Sequence, residues 1–230
     1  MPFYQPPWSK NEWPWLMLLL LVFPYRTHPL ETKRPERRVQ EDVLTSDHDP
    51  RIRVVLPATS HYLGADRWIL GGFDDCELHA FVDTDEQKTV QRLYWVQFEG
   101  YLPSRPNMHH TYDSPRHAEM AGMDFYVDTW PRATNAKTEA GSDLEHLEAL
   151  IRSNGYHLPA GMIYARFVHL LDQEKRKELM IIYAENLAPT GLTAADLLKG
   201  GKDYRRWPTL ERDVIDRAEQ NIKLHAPSEP

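Results

Sequence analysis

The sequence predicts an α+β domain: mainly an antiparallel sheet of about five strands, built from two hairpins plus one further strand, with two to three helices. Three observations carry this. Two pairs of apolar runs, 76–82 with 90–102 and 162–171 with 178–184, are each joined by a short polar connection, which makes their strands antiparallel neighbours. Strands do not alternate with helices and no Gly-rich turn follows a first strand, so a dinucleotide-binding parallel sheet is disfavoured. Ser142 with Glu145 opens a stretch in which Leu144, Leu147, Leu150 and Ile151 recur at helical spacing.

Along the chain, residues 15–23 form nine unbroken apolar residues between Pro14 and Pro24. A helix needs about 20 such residues to cross a bilayer, so contact with a membrane surface without spanning it is the expectation. Glu12 before the run, and Pro24, Tyr25 and Arg26 after it, fit a cleaved signal poorly. An extension from an upstream start, with Met17 as another start, is the plainer reading. Residues 27–53 are charged and punctuated by proline, a composition that buries too little to offset ordering entropy. Residues 1–52 are therefore expected to be an apolar segment and a linker without order, residues 53–224 one domain, and residues 225–230 a disordered tail.

Within 90–102, Val90, Tyr94, Val96 and Phe98 share one face, while Leu93, Trp95, Gln97, Glu99 and Tyr101 share the other. Aromatic weight on both sides predicts a strand covered on both faces. Residues 77–82 are its partner, across the polar turn 83–89. A third strand is expected over 124–130, then the helix from Ser142, stopped by Asn154 and Gly155. On that helix His146 falls opposite the apolar stripe and is expected in solvent. The polar run 172–177 joins the second hairpin. A short helix capped by Thr193 and stopped by Gly200 follows, then a longer one from Pro208 or Thr209 that buries Leu210, Val214, Ala218 and Ile222.

Composition excludes some functions. A formal charge of -7 and a pI near 5.9 do not suit a surface that neutralises phosphates, so nucleic acid is not an expected partner. The single cysteine, Cys76, rules out an intramolecular disulfide and favours a reducing compartment, the cytoplasm over secretion; in an apolar strand it reads as a small buried hydrophobe. The chain has no Gly-x-Ser-x-Gly elbow, phosphate loop, His-Glu-x-x-His or Cys-x-x-Cys, so no nucleotide cofactor is expected and the common hydrolase motifs are missing.

What remains is a concentration of histidine and carboxylate near the predicted sheet. Eight of the eleven histidines lie between His61 and His169. His109, His110 and His117 sit in a proline-rich loop leaving the long strand, where neutral imidazoles suit a metal ion. Alternation places Glu77 and His79 on one face of their strand, and Trp95, Gln97 and Glu99 on one face of the next. The expectation is that these groups converge, with Glu99 or His79 as general base and Trp95 and Gln97 against the substrate. Arg166 is expected to grip a carboxylate or carbonyl of the substrate, or else to pair with Glu178. Asp83, Asp85 and Glu86 offer oxygen ligands for calcium without the EF-hand pattern.

These residues define a hydrolase of a small ester, lactone or amide. Its water would be activated by histidine or carboxylate, assisted by a divalent metal ion, calcium or zinc. The other expectation is a non-catalytic domain that binds a small ligand or a partner through its aromatic faces.

Overall fold

The computed structural model describes residues 33–226. The apolar run 15–23 and the tail from 227 lie outside the described residues. The α+β class with antiparallel sheets holds, but the single sheet of about five strands does not: the described residues form two antiparallel sheets, of four and seven strands, with three helices.

The seven-stranded sheet is two meanders laid edge to edge. The first is β4 (His61–Leu70), β5 (Asp74–Thr84) and β6 (Val90–Tyr101); the second is β7 (Arg116–Met120), β8 (Met123–Ala133), β9 (Gly161–Leu170) and β10 (Lys177–Asn186). Their order is β4-β5-β6-β10-β9-β8-β7, so β6 and β10 meet at the seam, where Glu99 lies opposite Glu178. The predicted hairpins are the centre of this sheet.

The smaller sheet is where the sequence reading fails. Residues read as a linker form β1 (Arg38–Gln40), β2 (Val43–Asp47) and most of β3 (Arg51–Val55), joined by β11 (Lys223–His225) in the order β1-β2-β3-β11. The strands are short and turn charges outward, while Leu44, Ile52 and Val54 are buried on their inner side. Period-two burial, not overall hydrophobicity, makes them strands.

Both faces of the large sheet are covered, which explains the long runs of buried residues in β5, β6, β9 and β10. On one face Phe81, Tyr94, Phe167 and Tyr183 pack with Leu44, Ile52 and Val54 of the small sheet. The same core takes Leu197 of α2 (Ala194–Leu197) and Val214 and Ala218 of α3 (Trp207–Asn221). On the other face Leu147 and Ile151 of α1 (Asp143–Ser153) pack on Leu78, Ala80 and Leu93. Each such side chain contributes about 1.5–3 kcal/mol by leaving water.

Helix α1 starts and stops where the sequence places it. The Ser142 side chain accepts from the Glu145 N–H at 3.4 Å, and Glu145 reaches back to the Gly141 N–H at 2.6 Å, closing the box one residue early. Gly155, at φ +74°, takes the left-handed turn after the end. The Asn154 amide bonds the Leu63 carbonyl at 2.9 Å and ties the helix to β4. His146 is not in solvent: it stacks on Trp68 at 4.0 Å and meets Asp66 at 2.7 Å.

One residue in the first hairpin decides which side chains share a face. Thr84 opposes Val90 but Asp83 opposes Arg92, so Gln91 is an extra residue in β6. It is pinned there by Asp85, the Thr89 carbonyl and Asn186. Continuing the register of the turn would set Glu77 opposite Gln97 and His79 opposite Trp95. Beyond the bulge, Glu77 instead opposes Phe98 and His79 opposes Val96, while Cys76 opposes Glu99 and Leu78 opposes Gln97. A shift of one residue exchanges the two faces.

Candidate functional site

The expected convergence of His79 with Glu99 does not occur, because the Gln91 bulge puts them on opposite faces of the sheet. His79 lies toward the small sheet, 1 % exposed, with Nδ1 at 3.0 Å from the Tyr62 hydroxyl and Nε2 at 2.9 Å from Glu77. Glu77 also accepts the backbone N–H groups of Glu36 and Arg37 and the Arg37 guanidinium. Burial raises its pKa, but these bonds outweigh it and hold the group at about 2. The arrangement fastens residues 36 and 37 to the sheet and is saturated with partners.

The Glu99 face is different in kind. Cys76, Glu99 and Glu178 lie side by side across β5, β6 and β10, and Asp74 is two residues before Cys76. Asp143, the first residue of α1, comes down from above: its carboxylate, that of Glu99 and the Cys76 sulfur have donor atoms within 4.8 Å of one another. Along β6 the Trp95 indole N–H donates to Gln97 at 2.7 Å, and the Gln97 amide donates to Glu99 at 2.5 Å, aiming that carboxylate. Trp95 and Gln97, expected to hold substrate, are thus occupied in orienting Glu99.

The loop after β6 supplies two more groups. The Tyr112 hydroxyl reaches both oxygens of Glu178, at 2.8 and 2.7 Å, and His110 Nδ1 lies 3.1 Å from the same carboxylate. His110 Nε2 points the other way, 3.9 Å from Asp74. The His110 backbone N–H bonds the Lys175 carbonyl at 2.7 Å, and its ring stacks on Tyr101 at 4.4 Å. Arg176 fixes the loop's path, donating to the carbonyls of Tyr101, Leu102, Arg105 and Met108.

Asp74, Glu99, Asp143 and Glu178 form ion pairs with no Lys or Arg among the described residues; His110 lies within 4 Å of Asp74 and Glu178, while His146 and Arg166 act on Asp143 and Glu178 only from further off. Burial is therefore the largest influence on each. It pushes Asp74 and Glu178 up to about 7, with neighbouring acids adding to the shift. Glu99 is raised well above the usual carboxylate range by burial, then by Glu178, Asp143 and Asp74. Asp143 is raised by burial and Cys76 is pushed up, which leaves its thiol inert. Burial lowers His110 to about 4, so its imidazole is neutral. Glu99 keeps some accessible surface.

Arg166 does not pair with Glu178. It bonds Asp128 of β8 at 2.6 Å and lies over the rings of Tyr112 and Trp130, at 5.2 and 5.9 Å. Its Nε is buried without a hydrogen-bond partner. The expected histidine trio is dispersed by function: His110 joins the acids, His109 is exposed, and His117 sits on β7 beside Asp124 and Tyr126. His117 lines a groove of about 340 Å³ between β7, β8 and α3, which contains none of the four acids. Asp83 is engaged by Tyr94, Thr59 and Arg92, and Asp85 caps the turn, so no calcium cluster forms there.

Sequence reasoning did not single out Asp143, Cys76 or Tyr112 for the site, and it gave Glu178 only as a partner for Arg166. One signal was available: Glu178 is a charged residue immediately ahead of a run of six apolar ones. No protein-family model, curated protein or solved structure matches the chain.

Proposed function

We propose that the cluster of Asp74, Glu99, Asp143 and Glu178 is the active site of a hydrolase acting on a small ester, lactone or amide. The observation that carries this reading is the set of four carboxylates, Asp74 and Glu178 buried and Glu99 and Asp143 half-buried, without a Lys or Arg ion pair and beside buried aromatic side chains. Removing charges from water is costly, and a fold that needed only stability would gain by apolar residues here. Sites built for proton transfer concentrate such groups.

Asp143 is the general base. It stands at the start of α1, where the helix dipole favours its anionic form, and its Oδ1 has no hydrogen-bond partner. Glu99, aimed by Gln97, orients the water. The water oxygen adds to the carbonyl carbon as its proton passes to Asp143. The carbon–oxygen or carbon–nitrogen bond then breaks as that proton moves to the departing atom, giving the acid and an alcohol or amine. Arg166, with its unpartnered Nε and the rings of Tyr112 and Trp130, suits the substrate's carbonyl-bearing end.

A panel of chromogenic esters, lactones and amides tests this. Wild-type turnover that falls by roughly 10²–10⁴-fold in Asp143→Asn is the expected result. Ligand-induced thermal stabilisation without turnover, or turnover unchanged in Asp143→Asn, would replace the reading with the binding domain.

A further inference from the structure

We propose that Asp74, Glu99 and His110 are the ligands of a divalent transition-metal ion, for which Zn²⁺ is the probe. The inference rests on the reading of the acid cluster as the functional site and names its cofactor. Donor atoms of the three side chains lie within 4.8 Å of one another, brought together from the start of β5, the end of β6 and the following loop.

The orientation of His110 is the second, independent observation. Glu178 accepts two contacts from Tyr112 and has His110 Nδ1 at 3.1 Å; a carboxylate oxygen there favours the tautomer with the proton on Nδ1. Nε2 is then a bare lone pair. It is buried, has no hydrogen-bond partner, and looks across 3.9 Å at an Asp74 carboxylate oxygen. The other Asp74 oxygen, Oδ1, is likewise buried and without a partner. A lone pair facing a carboxylate is repulsive unless a proton or a metal ion lies between them, and 3.9 Å is too long for a shared proton. A carboxylate that fixes the tautomer of a histidine, with the far nitrogen turned to a metal, is the common support of such sites.

The donor set selects the ion. Calcium takes six to eight oxygens, whereas one imidazole and two carboxylates leaving an open position suit a catalytic zinc. A cation also answers the missing positive charge among the four acids. Glu99 becomes a ligand while Asp143, outside the set, remains free to carry the proton.

The test is calorimetric titration of Zn²⁺ into chelator-treated, dialysed full-length protein, with Co²⁺ as a visible-absorption probe of the same site. One ion per chain is expected, with a rise in melting temperature. Binding should be lost in His110→Ala and in Asp74→Asn and retained in His109→Ala and His117→Ala. Glu178→Gln should weaken it roughly 10–100-fold. Asp74→Asn removes an unpaired buried charge, so its metal-free fold should persist by circular dichroism, and lost binding then reports on the site. No binding by wild type, equal affinity in His110→Ala, or loss in His117→Ala would overturn the proposal. Turnover that survives chelator yet disappears in Asp143→Asn would sink the metal and keep the hydrolase. Zinc binding lost in His110→Ala, with no turnover on any substrate, would do the reverse.

Discussion

Replacing Glu77 by glutamine should cost about 3 kcal/mol of stability at neutral pH. The carboxylate is 1 % exposed and takes four donors: the N–H groups of Glu36 and Arg37 at 2.9 and 2.8 Å, the Arg37 guanidinium at 3.1 Å and His79 at 2.9 Å. A folded pKa of about 2 against 4.5 corresponds to roughly 3 kcal/mol at neutral pH. An amide presents one acceptor oxygen, turns its own N–H₂ toward these donors, and leaves Arg37, with 7 % of its side chain exposed, with only the more distant and more exposed Glu36 at 3.6 Å as counter-ion. Because the folded pKa is depressed, the stabilisation is present above 4.5 and is lost as pH falls toward 2. Urea unfolding followed by circular dichroism, from neutral pH down to about pH 3, should show the gap between wild type and Glu77→Gln narrowing below 4.5. A neutral-pH loss under about 1 kcal/mol, or a gap independent of pH, would refute the reasoning.

Three further outcomes follow from the packing. Arg176→Ala removes a cation that binds four carbonyls of the loop carrying His110; it should cost about 2 kcal/mol or more and speed amide hydrogen exchange at His110. Leu147→Ala strips a fully buried contact between α1 and the sheet and should lower stability by about 2–5 kcal/mol in thermal unfolding. Gly201→Ala would drive a Cβ into the backbone carbonyl oxygens of Ala195 and Asp196; a loss of about 1–3 kcal/mol in denaturant unfolding is expected.

The central hairpins, α1 and α3 were legible because their signals are local: period-two runs joined by polar turns, a capping box, and an apolar stripe over Leu210, Val214 and Ala218. The small sheet was not legible. Its strands are three to five residues long, carry outward charges, and include β11, which pairs with β3 from the far end of the described chain. No local pattern encodes a pairing across that separation. The set Trp95, Gln97 and Glu99 was read correctly as one face of β6, yet its neighbours were misassigned because a single inserted residue, Gln91, reverses the parity between strands. Without that bulge His79 would stand beside Trp95; with it, Cys76 stands beside Glu99. Asp143 was hidden for another reason: an acid in the first turn of a helix is ordinary, and only the packing of α1 brings it to Glu99.

Glu99→Gln, with stability measured without metal and turnover measured with Zn²⁺ present, both at neutral pH, bears most directly on the claim that these acids are kept for function at a cost to stability. The account predicts a protein more resistant to urea than wild type, because an acid whose ionisation is opposed by burial and by three neighbouring acids is gone, whose turnover of the best panel substrate falls about 10²-fold or more. A variant destabilised as Glu77→Gln is, or one that hydrolyses as wild type does, would contradict it.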